Sequence, residues 1–425
     1  MYCSSERNWL TRWLRPTVGR ERPQRSRKAR RRCCAPRVEL LEDRTVPSNY
    51  TVTNLLDDGS AGSLRQAILA ANADPGSTIT FTQAGTIQLA SQLSVTASRR
   101  ITGLGVDQLT IRGLGNPYRI FDIAHVSGQP TIDVEMDSLT LTHGRTGLNT
   151  LNDGGGAIRN SERLTLTDVK ITDSWAAAGG SSAGGGICNR NGGTLTLSNC
   201  ILGDAANPNK ATYGGGIANY GGPVTLTNCI LPGNTASYGG AIYKEGGTLT
   251  LTNNCTLSGS TANYGGTIYN YVGATLTLSN TLLSGNSATQ EGGSIDNYYG
   301  TATLTDCTLS GYAAENGGGT ASYGTLTLSN STLLGSSNNG GGISNTYGTV
   351  TLTNSTLSGH KSANGQSGIQ NLQRQLPFRR RRSPDPLRRH RNPHRLHPVG
   401  QLGQRRRRRH RQPRHDNRPQ RHPVG

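Results

Sequence analysis

Residues 238–263 read Y-G-G-A-I-Y-K-E-G-G-T-L-T-L-T-N-N-C-T-L-S-G-S-T-A-N, and residues 264–288 nearly repeat them: Y-G-G-T-I-Y-N-Y-V-G-A-T-L-T-L-S-N-T-L-L-S-G-N-S-A. The anchoring isoleucines of this sentence are Ile158, Ile187, Ile217, Ile242, Ile268, Ile295, Ile343 and Ile369, at spacings of 29, 30, 25, 26, 27, 48 and 26. The long interval hides a degenerate copy in which Ala321 takes the isoleucine place. A period of this size marks an array of one repeated unit. Each unit holds a G-G-x-I-x-N piece, a T-L-T-L-T-N piece and a T-L-S-G piece. T-L-T-L-T alternates apolar and polar with period two, the pattern of a half-buried strand. No stretch of the array has the spacing of a crossover helix, so successive coils must stack strand on strand in parallel, about 4.8 Å apart. The expected fold is all-β: a right-handed parallel β-helix filled by columns of Leu and Ile, with Thr columns facing water.

The corners agree. Asn199, Asn228, Asn254, Asn280, Asn330 and Asn354 form one column, with Asp306 standing in once. Asn160, Asn189, Asn219, Asn270, Asn297, Asn345 and Asn371 form a second. Stacked amides can hydrogen-bond along the axis, and Asn tolerates left-handed corners. The default expectation is therefore a structural ladder rather than a row of ligand amides. Cys200, Cys229, Cys255 and Cys307 each follow the first column, where other copies carry Val169, Thr281, Ser331 and Ser355. This is a cramped interior site. Parallel Cβ vectors suit a disulfide badly, so buried free thiols are expected.

Charge is uneven. The chain has 425 residues and a net charge of +19, yet residues 1–45 hold 13 basic and 5 acidic side chains, and residues 374–425 hold 18 Arg and 2 Asp. The middle is therefore mildly acidic, and the basic character belongs to the ends. Residues 1–48 read as a disordered basic leader. Trp9-Leu10 and Trp13-Leu14 are too short for a signal-peptide core or a membrane span, and no transmembrane segment is expected. The alternative for this stretch is a basic arm binding nucleic acid non-specifically. Residues 49–76 open the fold. Tyr50 to Leu55 reads as a strand, and Ser63 caps a short helix with Leu64, Ala67, Ile68 and Ala71 on one face. An array leaves its first coil open to water, and this helix is its lid. The β-helix is then expected over residues 77–373.

Two stretches carry a resemblance. Arg37 to Ser48, R-V-E-L-L-E-D-R-T-V-P-S, resembles the leader shared by many extracellular proteins of planctomycete bacteria, where a basic segment runs into L-E-x-R-x-x-P-S. Tyr50 onward, with T-V-T-N, S-L-R-Q-A-I and the G-G-x-I-x-N and T-L-T-N repeats, resembles bacterial β-helix proteins with polymorphic outer-membrane-protein-like repeats. Together these imply export, processing near Ser48, and an extracellular or cell-surface β-helix. They do not imply an enzyme.

Catalytic vocabulary is thin. His143-Gly144-Arg145 resembles the His-Gly pair of β-helix polygalacturonases, and Asp133, Glu135 and Asp137 alternate to one side of a strand. A glycoside hydrolase needs two carboxylates flanking the scissile bond, and no such signature follows on the next coils. Lys210, Lys244, Glu245, Glu291, Asp296, Asp306 and Glu315 read as scattered. No calcium repeat and no paired Cys/His zinc spacing occurs, so no metal or cofactor is expected. The tyrosines align instead. Tyr213, Tyr238 and Tyr264 precede the Gly pair on three consecutive coils, and Tyr220, Tyr271 and Tyr298 follow the second Asn column. Such a ladder can stack sugar rings or simply stabilise a solenoid face.

From Gln373 the pattern stops. H-P-V-G occurs at His397–Gly400 and again at His422–Gly425. Codons chosen for residues 374–425 and read one base later spell G-N-S-L-S-G-G-G-G-L-Q-I-L-S-G-G-T-V-T-L-T-D-S-T-L-S-G-N and onward. The Arg-rich tail is thus expected to be a disordered frameshift product rather than a nucleic-acid arm. Without a lid at that end, end-to-end self-association is expected. The leading function is a rigid surface rod, structural or adhesive, partnered by surface polysaccharide or other cell-surface components and by no specific nucleic acid. The alternative is a polysaccharide-binding or polysaccharide-cleaving β-helix.

Overall fold

The computed structural model describes residues 47–372, apart from 116–117, 147–153, 177–181, 336–340 and 361–367. The stretch expected to be a basic leader, up to residue 46 and with Cys3, Cys33 and Cys34, and the tail from residue 373 lie outside these residues. So do the frame and self-association expectations built on the tail.

The described chain is a right-handed parallel β-solenoid of about 11 turns. Each regular coil contributes three strands, as in Ile242–Glu245, Thr248–Thr252 and Thr256–Ser258. The I-x-N strands stack into an 11-stranded sheet, and the other two strands of each coil stack into a 21-stranded one. Every pairing between named strands is parallel, as it must be where coils advance without crossover helices. The register is that of the repeat: Leu249 lies opposite Leu276, and Leu251 opposite Leu278. All four are buried, while the intervening Thr250 and Thr277 are only partly covered. Period-two alternation therefore produces one continuous apolar column inside and a threonine surface outside.

The corner between the second and third strands requires a left-handed residue. Asn199, Asn228, Asn254, Asn280, Asn330 and Asn354 have φ between 47° and 64°, and Asp168 and Asp306 do the same work. This column's amides are joined along the axis at one place, where Asn228 Nδ2 donates to Asn199 Oδ1 at 2.9 Å. Its consistent contribution is backbone conformation. The second column carries the longer amide chain. Asn160 donates to Asn189 at 2.7 Å, Asn189 to Asn219 at 2.7 Å, and Asn270 to Asn297 at 2.8 Å. The same amides also tie down their own turns, Asn219 to the Gly222 carbonyl and Asn345 to that of Gly348. A third Asn set, not singled out in the sequence, pins the next bend. Asn209, Asn234 and Asn286 donate to the Ile171, Leu202 and Leu257 carbonyls. The written signal is P-G-N for Asn234 and S-G-N for Asn286, while Asn209 stands in N-P-N.

One register differs from the sequence reading. Thr320, not Ala321, lies opposite Ile295 and Ile343, and Ala321 faces outward opposite Asp296. The triple Gly317-Gly318-Gly319 allows two alignments, and a one-residue slip exchanges the two faces of a strand.

The helix Leu64–Ala71 buries Leu64, Ala67, Ile68 and Ala71, and the Ser63 hydroxyl accepts the Gln66 N–H. It packs against the first coil, whose opening strand is Asn49–Val52 rather than the longer 50–55. Arg99 is buried beneath it and donates to the Ile68 carbonyl and the Asn72 amide oxygen. Burial lowers its pKa to about 10.

Candidate functional site

In each I-x-N strand the Ile and Asn point inward and the middle residue points out. Register places the middle residues in one outer column: Arg159, Cys188, Ala218, Tyr243, Tyr269, Asp296, Ala321 and Ser344. Two columns flank it. On the Gly-corner side run Ala183, Tyr213, Tyr238, Tyr264, Glu291 and Asn316. On the other side, directly after the Asn ladder, come Tyr220, Glu245, Tyr271, Tyr298 and Tyr323.

The structure thus brings Tyr213, Tyr238 and Tyr264 together, as their spacing implied. Tyr213 and Tyr238 are 5.3 Å apart at 14°, and Tyr238 and Tyr264 are 5.2 Å apart at 5°. Tyr271 stacks on Tyr298 at 5.7 Å and 2°. Tyr243 and Tyr269, which sequence reasoning passed over, fill the gap between the flanks and are nearly buried. Tyr243 meets Tyr213 edge-on at 4.9 Å, and Tyr269 meets Tyr238 edge-on at 5.3 Å. The result is a second apolar cluster outside the coil interior. Offset-stacked and edge-on geometries are the favourable ones, worth about 0.5–1.5 kcal/mol per pair beyond burial. Within each stack the ring faces cover one another. Ring edges and the end faces of the stacks remain for a ligand, while the Tyr243, Tyr264 and Tyr323 hydroxyls are engaged by Glu245, Gln290 and Glu291.

Two further tyrosines are held outward. Tyr299 and Tyr347 occupy turn positions with φ of 56° and 65°, and their side chains are among the exposed large residues, at 48% and 57%. Other coils place Gly at this point, for example Gly221 and Gly246. A bulky side chain in the left-handed region is uncommon and points to a role other than stability. The signal was present in Y-Y-G and T-Y-G, where the repeat elsewhere has a Gly. Tyr299 stands edge-on to Tyr298 at 4.8 Å, which extends the face.

The charged residues of the array are less scattered than their sequence positions suggest. Glu291 lies close enough to Asp296 to raise it, and Glu315 close enough to raise Glu291. The Tyr323 hydroxyl donates to both Glu291 oxygens at 2.9 Å. That bond joins the two flanking columns. Asp296 has no exposed surface, and neither of its oxygens has a hydrogen-bond partner. Burial, with Glu291 adding to it, raises its pKa well above the usual carboxylate range. Burial likewise raises Glu291, opposed by the Tyr323 hydrogen bond. Asp296 is therefore an enclosed acid whose protonated form burial favours, set among Tyr264, Tyr269, Tyr298 and Tyr323.

Ser138, at φ 59° and level with Asp168, takes the Asn place on this coil, and His143 sits one corner past the Asn column, in a left-handed turn at φ 57°. Its carboxylate neighbour is Asp173, 3.0 Å from Nε2 and shared with Arg145. Burial lowers the His143 pKa, Arg112 and Arg145 assist, and Asp173 opposes. Asp133, Glu135 and Asp137 do line one side of a strand, where arginines neutralise them. Asp133 pairs with Arg163, and Asp137 and Glu135 with Arg100. No acid–base pair spanning an open groove results. The cysteines of the corner column are buried free thiols. Cys229 and Cys307 donate back to the Thr227 and Thr305 carbonyls, and the Cys229 pKa rises to about 12, chiefly through its hydrogen bond with Cys200. Cys188 lies apart, beneath Tyr213 and Tyr220, in the outer cluster. Among the described residues no group of three or more His, Cys, Asp or Glu is placed to hold a metal ion, and no helix is long and apolar enough to cross a membrane.

No family model and no curated protein matches this chain. Solved β-helix structures are similar in fold. The Streptococcus pneumoniae surface protein and adhesin PfbA aligns at 12% identity and a TM-score of 0.44, covering 72% of this chain and 94% of its own. The Azotobacter vinelandii mannuronan C-5 epimerase AlgE6 A-module aligns at 17% and 0.34, covering 73% and 96%. An alginate lyase from Paenibacillus sp. aligns at 12% and 0.26, covering 73% and 98%. Identity at this level carries no residue correspondence.

Proposed function

We propose that this chain is a secreted or cell-surface β-helix with a structural or adhesive role, and that its outward tyrosine face is the contact surface for carbohydrate or other surface components. The observation that carries this reading is the aromatic face itself. It runs over consecutive coils from Tyr213 to Tyr323, and Tyr299 is presented outward from a left-handed turn. Amphipathic rings supply contact area with little loss of side-chain freedom. Parallel stacking gives the ligand a periodic, rigid track rather than a closed pocket. The leader resemblance at Arg37 to Ser48 supports export. The alternative, a polysaccharide-cleaving β-helix, draws on Glu291 and Asp296. However, Asp296 is enclosed by tyrosine rings and out of reach of a substrate, so the non-enzymatic reading leads.

A glycan array probed with the full chain and with its Tyr264→Ala and Tyr299→Ala variants tests the proposal. Binding that drops in both variants, with unchanged circular dichroism, is the expected result. Indifference of every bound glycan to both substitutions, or release of unsaturated or reducing sugar ends by the parent, would count against it.

A further inference from the structure

Toward the N-terminal end of the array the coils hold a polar arrangement that the tyrosine face does not use. Glu162 follows the ladder residue Asn160 by two, and its side chain is 2% exposed. Both its oxygens are engaged. Oε2 accepts the Ile132 N–H at 3.0 Å, and Oε1 lies 2.6 Å from His125 Nδ1. The imidazole, by contrast, is 44% exposed. A buried carboxylate is costly unless compensated, and ordering a half-exposed ring adds little to stability. A carboxylate only accepts, so Nδ1 carries the proton given to Glu162, and in the neutral imidazole Nε2 is then the acceptor, which is how buried carboxylates orient imidazoles.

His125 lines a cleft of about 540 Å³, within the span of small-ligand sites, about 300–1,000 Å³. Thr131, Ser161, Arg163, Asn191 and Thr194 share its wall, and the wall contains no aliphatic side chain. Arg163 turns Nε and Nη2 toward Asp133, which leaves Nη1 as a donor. Asn191 is fixed in a left-handed turn at φ 54°, with its amide donating to Ser161 at 3.4 Å. An imidazole held by a buried carboxylate, cationic and amide donors and several hydroxyls, with no aliphatic residue among them, do not match a hydrophobic ligand or an apolar peptide segment. They match a ring that offers hydroxyl groups and one carboxylate. The corner also leads onto the tyrosine face. Arg190 follows Asn189 in register with Ser161, and its guanidinium lies 5.4 Å over the Tyr220 ring.

We propose that this cleft is a separate binding site for an acidic sugar, a uronate unit of an oligosaccharide. A ring hydroxyl donates to His125 Nε2, and the carboxylate is held by Arg163 Nη1 and the Asn191 amide. The site is independent of the tyrosine face, and either can fail without the other. The test is calorimetric titration of the full chain with galacturonate, glucuronate and mannuronate hexasaccharides, each beside its carboxyl-reduced neutral counterpart. At least one acidic member should bind, and its neutral counterpart should bind about tenfold or more weakly, the size expected for losing one charge-assisted contact. His125→Ala should weaken binding by a similar factor with unchanged circular dichroism. Tyr238→Ala should leave it within about twofold, which separates this site from the tyrosine face. Glu162→Gln, if it folds, should behave like His125→Ala; if it does not fold, His125→Ala carries the test alone. The proposal is overturned by absence of binding to all three acids, by equal binding of the neutral forms, or by a His125→Ala variant that binds like the parent.

Discussion

Lys244 occupies a ladder position, and replacing it with Asn should stabilise the protein. It lies opposite Asn219 on one side and Asn270 on the other. Its side chain has no exposed surface, and its ammonium donates to the Gly246 carbonyl. Above it, Asn270 Oδ1 is buried with no hydrogen-bond partner, whereas Asn189 and Asn219 each accept from the amide one coil below. The missing donor is the amide that Lys244 displaces. Burial pulls the lysine from 10.5 to about 8, a penalty of about 3 kcal/mol at neutral pH, at about 1.4 kcal/mol per unit. Two restored amide bonds add about 1 kcal/mol each, and the lost methylenes subtract about 2 kcal/mol. The net expectation for Lys244→Asn is a gain of about 3 kcal/mol and a melting point higher by several degrees. The pH dependence has a definite sign. Between pH 8 and 10.5 the unfolded lysine keeps a proton that the folded one has released, so the parent gains stability relative to the variant as pH rises through that window. Denaturant titrations of both proteins from pH 7 to pH 10.5 measure this. A variant that melts at or below the parent at pH 7, or an advantage that does not shrink toward pH 10.5, would refute the ladder argument.

Three other outcomes are expected. Leu251→Asp places an unpaired charge in the column that Leu251 shares with Leu278 and should abolish cooperative unfolding; parent-like melting by circular dichroism would contradict the register. Asp296→Ala removes a buried acid whose raised pKa means the folded state holds a proton that the unfolded state gives up above about pH 4. The parent's stability therefore falls relative to the variant as pH rises from there, and a variant less stable than the parent at pH 7 by urea titration would count against an orphaned acid. Reading the coding DNA between codons 365 and 380 should reveal a one-base slip near Gln373; an unshifted read would retire the frame argument.

The solenoid was legible because T-L-T-L-T states its own period and the Asn corners recur at fixed offsets from it. Those features depend on neighbours within one coil. The tyrosine face was half legible. Tyr213, Tyr238 and Tyr264 share an obvious place before the Gly pair, whereas Tyr243 and Tyr269 look like ordinary strand residues until the register turns them outward between the flanks. Glu291 and Asp296 read as isolated acids because the residues beside them, Tyr323 bonded to Glu291 and Tyr269 in register with Asp296, arrive from adjacent coils. Thr320 was misplaced by one because three consecutive glycines give no side chain to anchor an alignment. His125 and Glu162 are 37 residues apart in a less regular part of the chain, where no repeat column marks either one.

Hydroxyl-radical footprinting of the full chain with and without its best glycan-array ligand, read by mass spectrometry, shows whether the tyrosine face is the contact surface. Protection concentrated at Tyr213, Tyr264, Tyr299 and Tyr323, with Tyr118 unchanged, is the predicted result. Protection confined to residues away from the outer sheet face, with all four of these tyrosines oxidised at the same rate in both samples, would contradict it.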